Sequence, residues 1–279
     1  MDVQPIREAD LPVVGEFLHQ HLNRKIAAQT WSDSLRHRWA AAQPNHGMRL
    51  LTPEGRLVGV LCAVYSDQLI AGKLERFCNP HSWCVLDEFR HASINLVLAV
   101  IRQRDYHFTM FTPNPKVTQV FMGLRFRLLD DALLYFPNLP ALGGGFVEAR
   151  PERIAQHLEG AARAEFEAHR AIPWLRFVAF GPPGNACLAI YKRGRWKKMA
   201  CAMISHLSDP ASMARHGPLL RRHLLLQGMP VSRIEARFVT AAPPLAYRTQ
   251  RTQPKLALTR TLADAQIRDV YSELMALDI

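Results

Sequence analysis

The sequence lacks an apolar run long enough to cross a bilayer, and it has few cysteines. The longest apolar run, at Ser93 to Ile101, has about half of the roughly 20 residues that a membrane-spanning helix needs, and it predicts a buried helix instead. No positively charged stretch followed by an apolar one opens the sequence, so we expect no signal peptide. The five cysteines are sparse and odd in number, which argues against a disulfide framework. These absences together predict a cytoplasmic protein without a membrane span.

Acidic residues are in deficit. The 24 Asp and Glu residues face 35 Lys and Arg residues, which gives a formal net charge of +11. Such an excess favours anionic partners, including CoA phosphates, nucleic acid, acidic sugars or a membrane surface. Most basic residues are scattered along the chain, and the tight cluster is Arg193 to Lys198, with a tryptophan inside it. Hydrophobic residues make up 48% of the 279 residues, so the chain can bury a sizeable core in two modest domains or one large one.

Hydrophobic periodicity predicts alternating strands and helices in the first half. Strands are expected at 48–52 and 56–65, joined by a tight turn as a hairpin. A longer extended segment follows at 74–85, where an Asn-Pro pair predicts an edge position, a bulge or a break. The nearly all-apolar stretch 89–102 predicts a buried helix, and 106–112 predicts another strand.

Proline and glycine are dense in the sequence PNLPALGGG, where the periodic pattern stops, so this segment is expected to link two domains. The predicted domains are 1–138 and 150–279, with a linker at 139–149. The second half is expected to begin with an amphipathic helix at 151–172 and to end with a helix at 262–277. Its order of strands and helix echoes that of the first half, which suggests a tandem duplication.

Three segments resemble the GNAT superfamily of N-acetyltransferases. Ile6 to Leu18 is similar to the usual first strand and helix, and Trp83 to Ile101 is similar to the acetyl-CoA signature. Phe111 to Phe126 is similar to the strand and short helix that follow. The resemblance implies an α/β fold with a mixed sheet, in which two GNAT-like halves stand in tandem and the second is degenerate. It also implies an acyl-CoA-dependent N-acyltransferase.

By this resemblance the co-substrate is acetyl-CoA or another acyl-CoA. The loop from Arg90 to Asn95 would wrap the CoA pyrophosphate, because a helix N-terminus presents unpaired N–H groups and a positive dipole end. The strand before it would offer backbone groups to the pantetheine arm. The residues that the resemblance assigns to the cofactor are Trp83, Cys84, Val85, Arg90, His91, Ala92, Ser93, Ile94, Asn95 and Asn114.

The sequence departs from the family pattern at two places. Ser93 and Asn95 stand where the family usually has small residues such as glycine, which lets the backbone approach phosphates. Both side chains could hydrogen-bond a phosphate oxygen. Phe121 stands where many members have a tyrosine that acts as general acid, and a phenyl ring has no proton to give.

Transfer to an amine needs a base near the acceptor. His81 is the favoured candidate because histidine titrates near neutral pH. Glu75 and, less favourably, Glu88 are alternatives. Cys78 is a candidate acyl-accepting nucleophile with His81 as its base. Cys78, His81 and Cys84 lack an evident fourth ligand, so no structural zinc site is predicted.

Three functions stay open at this point. The first is transfer of an acyl group from acyl-CoA to an amine or hydroxyl of a small-molecule acceptor. The second is a tRNA-dependent aminoacyl transferase, motivated by the basic cluster and the missing glycines. The third is a catalytically silent binding module, motivated by Phe121. The sequence names neither the acceptor, nor the acyl chain length, nor the oligomeric state.

Overall fold

The structure, a computed structural model, describes residues 1–36, 39–140 and 145–278. The described residues form short strands and a few long ones. In chain order the strands are β1 (Asp2–Pro5), β2 (Gly47–Leu51), β3 (Leu57–Ile70), β4 (Lys73–Val85), β5 (His107–Met110), β6 (Arg127–Leu128), β7 (Leu133–Pro137), β8 (Phe146–Glu148), β9 (Arg176–Gly181), β10 (Cys187–Trp196), β11 (Met199–Leu207), β12 (Val231–Glu235), β13 (Tyr247–Thr249) and β14 (Leu256–Leu258).

The helices have between 4 and 15 residues. They are α1 (Leu11–His21), α2 (Ala28–Ser34), α3 (Ile94–Ile101), α4 (Pro115–Gly123), α5 (Pro151–Ile154), α6 (Gly160–His169), α7 (Ser212–Leu226) and α8 (Glu273–Ala276). Short 3₁₀ turns precede α1 at Glu8–Asp10 and α3 at Asp87–Ala92. Among the described residues, no helix combines the length and the apolar character that crossing a bilayer requires.

The first compact unit comprises Met1–Leu129, Gln253–Leu262 and Tyr271–Ile279. Its seven-stranded sheet has the order β1-β2-β3-β4-β5-β14-β6. Most neighbours are antiparallel, and β4 and β5 are parallel. The strand β14 comes from the far end of the chain and lies between β5 and β6. The helix α3 covers this sheet and buries Leu96, Val97 and Val100 in the main core.

The second compact unit comprises Asp130–Thr252 and Ala263–Val270. Its seven-stranded sheet has the order β13-β7-β12-β11-β10-β9-β8, with β11 and β12 parallel. One face of the sheet carries a core that includes Phe136, Phe180 and Leu220. The fold class predicted from the sequence, a mixed α/β fold with two halves in tandem, is confirmed.

The predicted domain ranges 1–138 and 150–279 stay predictions. Grouped by their contacts, the residues divide between Leu129 and Asp130, and two later segments return to the first unit. Within the predicted linker, 141–144 lie outside the described residues, and Phe146–Glu148 form β8.

The expected hairpin and the expected buried helix are both present, as β2–β3 and α3. The predicted helix at 151–172 is wrong in its continuity. The chain is extended at Leu158 and Glu159, and Gly160 adopts φ +49°, a left-handed value that glycine accepts without strain. The predicted helix at 262–277 is also wrong. A 3₁₀ turn at Asp264–Gln266 and the four residues of α8 occupy this stretch.

Candidate active site

A β-bulge interrupts the pairing of β3 with β4. Cys62 pairs with His81 and Val60 pairs with Cys84, so two residues of β4 stand opposite one residue of β3. Ser82 lies in this bulge with φ +51°. A bulge bends its strand and shifts the alternation of side chains. As a result, the even-numbered and odd-numbered side chains of β4 exchange faces of the sheet across Ser82.

The two parallel strands β4 and β5 separate immediately after they meet. Their pairing is limited to Phe77 with His107 and Cys78 with Phe108. Beyond this point, β4 continues to pair with β3 on one side, apart from the bulge, and no strand among the described residues pairs with it on the other. The interruption expected at the Asn-Pro pair is therefore a parting of strands rather than a break in β4.

Asn79 stands at the point of separation. Its buried side-chain Nδ2 donates to the carbonyl oxygen of Thr109 at 3.1 Å and to the Oγ1 of the same residue at 3.2 Å. Its Oδ1 accepts from the backbone N–H of Glu273 at 3.2 Å. The amide thus continues hydrogen bonding where backbone pairing stops, and it fixes the C-terminal segment against β4.

One cavity opens beside the end of β4, and we call it the Arg90 cavity. It has a volume of about 710 Å³. Six of the ten predicted cofactor residues line it together, whereas His91, Ala92, Ile94 and Asn95 do not. The lining residues are His21, Leu22, Trp83, Cys84, Val85, Leu86, Asp87, Arg90, Ser93, Asn114, Lys116, Val117 and Val120.

The loop before α3 has its own hydrogen bonds. Ser93 immediately precedes α3 and has an ordinary helical φ of −61°, so this position does not require glycine. Its Oγ donates to the carbonyl oxygen of Arg90 at 2.6 Å. Asn95 is exposed and adds no bulk to the cavity. Arg90 forms an ion pair with Asp87 at 2.6 Å, and this carboxylate is a lining group that the sequence reasoning missed.

The helix α4 begins on the opposite wall. Asn114 caps it, since its Oδ1 accepts from the backbone N–H of Val117 at 3.0 Å. Pro115 occupies the first turn, where a missing N–H removes no helical bond. Lys116 follows and lines the cavity. The sequence Asn-Pro-Lys could have predicted a positive charge here, because asparagine and proline begin a helix and the lysine then lies in its first turn.

A second cavity, which we call the His81 cavity, has a volume of about 400 Å³. It shares Leu22, Trp83, Asn114 and Val117 with the Arg90 cavity, so the two adjoin. Its remaining lining residues are Asn23, Ile26, Trp31, His81, Ser82, Met110, Thr112, Pro113, Glu273 and Leu277.

Three ring nitrogens of this lining are buried without a hydrogen-bond partner, namely the Nε1 atoms of Trp31 and Trp83 and the Nε2 of His81. Buried polar atoms are nearly always hydrogen-bonded, so unsatisfied ones point to a missing ligand or water. The other ring nitrogen of His81, Nδ1, lies 2.9 Å from the Ser82 Oγ. Burial lowers the pKa of His81 to about 4, so this imidazole is neutral at pH 7.

Glu273 is buried beside His81 and was missed by the sequence reasoning. Its Oε1 accepts from the Thr112 Oγ1 at 2.9 Å. It comes from α8, in a segment where the sequence predicted a long helix. No signal in the local sequence places α8 beside β4.

The structure does not bring Glu75 or Cys78 to these cavities. Glu75 lies near the other end of β4, where its carboxylate accepts from Lys73 at 2.8 Å and contacts the Nε2 of His107 at 3.0 Å. These hydrogen bonds, that of Lys73 first, lower the pKa of Glu75. Cys78 is fully buried in the main core, and burial raises the pKa of its thiol.

Phe121 is also part of the core. It is fully buried and contacts the rings of Trp83 and Phe126 edge to face, with centroid distances of 6.2 and 4.8 Å. The ring therefore packs behind the cleft wall and takes no direct part in chemistry.

Comparison with known proteins gives a consistent result at the level of structure. No family model and no curated protein sequence matches the chain. A GCN5-related N-acetyltransferase from Anabaena variabilis has a TM-score of 0.61 at 10% identity, over 92% of this chain and 72% of that one. A probable N-acyltransferase from Enterococcus faecalis has a TM-score of 0.63 at 10% identity, over 92% and 71%.

The N-myristoyltransferase of Saccharomyces cerevisiae, solved with myristoyl-CoA, has a TM-score of 0.50 at 11% identity, over 97% of this chain and 87% of that one. Similarity at such low identity establishes a fold and leaves activity open. The comparisons nevertheless agree with the two mixed seven-stranded sheets. The chain has the GNAT fold, with two mixed α/β units in tandem.

Proposed function

We propose that the first unit is an acyl-CoA-dependent N-acyltransferase that acts on a small-molecule amine. The observation that carries the proposal is the meeting of the two cavities at Trp83 and Asn114, where β4 and β5 part. A donor in one cavity and an acceptor in the other would bring their reacting atoms together there.

The Arg90 cavity suits the donor. Its volume falls in the range of about 300 to 1,000 Å³ that is usual for ligand sites. Arg90 and Lys116 supply positive charge at its rim. Lys116 lies in the first turn of the capped helix α4, and Arg90 lies in the 3₁₀ turn that leads into α3. Phosphate groups bind favourably at such positions. The ion pair of Arg90 with Asp87 opposes this, because the carboxylate repels an approaching phosphate.

The His81 cavity suits a cationic acceptor. Glu273 is the one charged residue among its described lining residues when His81 is neutral. A carboxylate in the lining attracts an ammonium group by its charge, which favours an amine over a neutral hydroxyl compound. The apolar lining, including Trp31 and Met110, favours an acceptor with an apolar body.

In the proposed reaction, the ammonium group first releases a proton to solvent, and the amine nitrogen then attacks the thioester carbonyl carbon. The backbone of residues 83–85 would stabilise the oxyanion. The second amine proton passes to the Nε2 of His81, the carbon–sulfur bond breaks, and this proton then goes to the leaving thiolate. Acyl-CoA and amine thus give amide and free CoA, and no acid is needed at Phe121.

Ligand binding is the first test. Thermal unfolding with acetyl-CoA, longer acyl-CoAs and free CoA, each titrated separately, should show a midpoint that rises once a ligand exceeds its dissociation constant. The acyl-CoA that gives the largest shift identifies the preferred chain length. Silence with every acyl-CoA would contradict the donor site and favour a binding module.

Turnover is the second test, followed as release of the CoA thiol with a panel of apolar amines. His81→Gln should lower kcat by up to about 100-fold, the low end of the usual contribution of a general base, because a pKa of about 4 makes His81 a weak base at neutral pH. The KM for acyl-CoA should be unchanged. Glu273→Gln should raise the KM for the amine. Glu75→Gln is the matched control and should behave as the parent. If Glu75→Gln lost activity while His81→Gln kept it, the assignment of the base would be wrong.

A further inference from the structure

Three aromatic rings stand together on one face of the sheet of the second unit. The ring of Trp196 stacks on that of Tyr135, with centroids 4.9 Å apart and planes 23° from parallel. Tyr247 pairs directly with Tyr135 across β13 and β7, and directly opposed residues share a face. Tyr247 is 62% exposed. This face therefore offers a flat aromatic platform to solvent.

The platform depends on the hairpin of β10 and β11. In the order of the sheet, β10 lies three strands away from β7, so Trp196 reaches Tyr135 only because the hairpin tip bends across the face. Gly194 lies next to Met203 in this hairpin, and a Cβ at Gly194 would come within 2.1 Å of the Met203 Sδ. The absence of a side chain at this position permits the close approach.

The turn at the hairpin tip carries two lysines in a conformation that lysine disfavours. Lys197 has φ +45° and Lys198 has φ +69°, so both central residues of a two-residue loop are left-handed. Such turns strongly prefer Asn-Gly. Strained residues concentrate where a side chain is required for function. We read the pair as a place where positive charge is kept at the expense of turn stability.

Positive charge surrounds the platform. A cavity of about 410 Å³ beside the rings is lined by Lys197, Arg233 and Arg251, with no acidic residue among its described lining residues. Arg251 is paired with Glu235 at 2.6 Å and with Asp131 at 3.6 Å. Lys197 and Arg233 make no ion pair within the described chain, and the Nζ of Lys197 lies 4.8 Å from the centroid of the Trp196 ring.

We propose that this aromatic and basic face binds a single-stranded nucleic acid. Exposed rings accept stacked bases of any sequence, and neighbouring cations follow the phosphates. A membrane surface or an acidic protein would use the charge, whereas a nucleic acid also stacks its bases on the flat face of an exposed ring such as that of Tyr247. The platform belongs to the second unit alone, so the inference stands independently of acyl transfer.

The test measures binding of fluorescein-labelled oligouridylate and oligodeoxyuridylate 12-mers to the full chain by fluorescence anisotropy. Tyr247→Ala should weaken binding about tenfold, since one base–aromatic stack is worth roughly 1–3 kcal/mol. A preference for the ribose oligomer would identify RNA, because the 2′-hydroxyl distinguishes the two.

The double variant Lys197→Asn, Lys198→Gly tests the effect of the positive charge on binding without weakening the fold. Asn-Gly suits the turn, so the fold should be at least as stable, yet binding should weaken. The slope of log affinity against log salt should become shallower by about 1.4, because each phosphate contact of a single strand contributes about 0.7. The matched control is Arg153→Gln with Arg163→Gln, which removes the same charge from exposed positions of the same unit and should leave the slope nearly unchanged.

Two results would overturn the proposal. If Tyr247→Ala binds both oligomers as the parent does, and heparin competes equally with either protein, the face is a general polyanion surface. If neither oligomer binds at low salt but vesicles containing phosphatidylserine do, the partner is a membrane surface.

Discussion

The side-chain amide of Asn79 donates to the carbonyl oxygen of Thr109 at 3.1 Å, at the point where β4 and β5 part. Here a side chain makes the hydrogen bond between strands that backbone groups make elsewhere in the sheet. The same amide accepts from the N–H of Glu273. One buried residue thus sets both the opening of the cleft and the seat of the C-terminal segment.

Replacing Asn79 by alanine should therefore affect stability and activity together. The change leaves the N–H of Glu273 and the carbonyl of Thr109 unsatisfied, which costs about 1–3 kcal/mol for each buried group. We expect a lower urea midpoint and a lower kcat. Asn79→Asp is the informative partner, since it keeps the acceptor for Glu273 and loses the donor to Thr109. A full kcat in Asn79→Ala would show that the opening does not depend on this amide.

The two charged residues at the rim of the Arg90 cavity should act in opposite directions. Arg90→Gln should weaken CoA binding, and Asp87→Asn should strengthen it, because the latter removes a like charge and frees the guanidinium. Isothermal titration with CoA measures both, and the difference should shrink at high salt, which screens exposed charges. Arg260→Gln, an exposed position elsewhere in the first unit, is the control. Equal affinity for CoA in all variants would contradict the proposal that a CoA phosphate binds at this rim.

His81 should make the fold sensitive to acid. Its pKa is about 4 in the folded protein because of burial, against about 6.5 in the unfolded chain. Below pH 6.5 the unfolded state binds the extra proton, so stability falls as the pH drops from about 6.5 to 4, by about 3 kcal/mol in all. Above pH 6.5 His81 should contribute no pH dependence.

The measurement compares urea unfolding of the parent and of His81→Gln between pH 7 and pH 4. The comparison is needed because burial also lowers the pKa of His169 to about 4, and that contribution is common to both proteins. The difference in stability between the parent and the variant should change with pH below 6.5. A constant difference would mean that solvent or a charge reaches His81.

Gly47 and Gly55 offer a matched pair for backbone strain. Both have a positive φ, of +110° and +83°. A Cβ at Gly47 would lie 2.1 Å from the carbonyl oxygen of Leu61, whereas a Cβ at Gly55 would meet nothing within 4 Å. Gly55→Ala should cost about 1–2 kcal/mol, the strain of a left-handed residue.

Gly47→Ala should cost more than about 4 kcal/mol, because rigid backbone has to move as well. Chemical denaturation of both variants gives the comparison. If the two glycines cost the same, the pairing of β2 with β3 at Gly47 must be looser than the contact with Leu61 indicates.

Local sequence predicted much of the cleft wall. The extended segment ending at Val85 lies where periodicity placed it. The helix predicted at 89–102 begins only at Ile94, because a 3₁₀ turn occupies Asp87–Ala92. These features depend on neighbouring residues, which a sequence displays directly. Only the resemblance to the GNAT superfamily predicted that Arg90, Ser93 and Asn114 would line the same cavity.

Contacts between residues far apart in the chain could not be predicted from the sequence, for a physical reason. Glu273 bonds Thr112, which lies 161 residues earlier, and no local pattern encodes such a distance. The predicted helix at 262–277 failed because its apolar residues serve two cores. Ile267 belongs to the second unit and Met275 to the first, so they do not form one face of one helix. Glu75 and His81 both lie in β4, and only the geometry of the bulge and the parting strands separates their surroundings.

The position of β14 between β5 and β6 bears on how the protein is made. During synthesis, the first 129 residues emerge with a gap in their sheet, and the missing strand, Leu256–Leu258, leaves the ribosome only after nearly the whole second unit. Until then β5 and β6 expose unpaired edges, which are prone to association with other chains. The nascent first unit should therefore need protection from a chaperone, whereas the second unit can bury most of its sheet earlier.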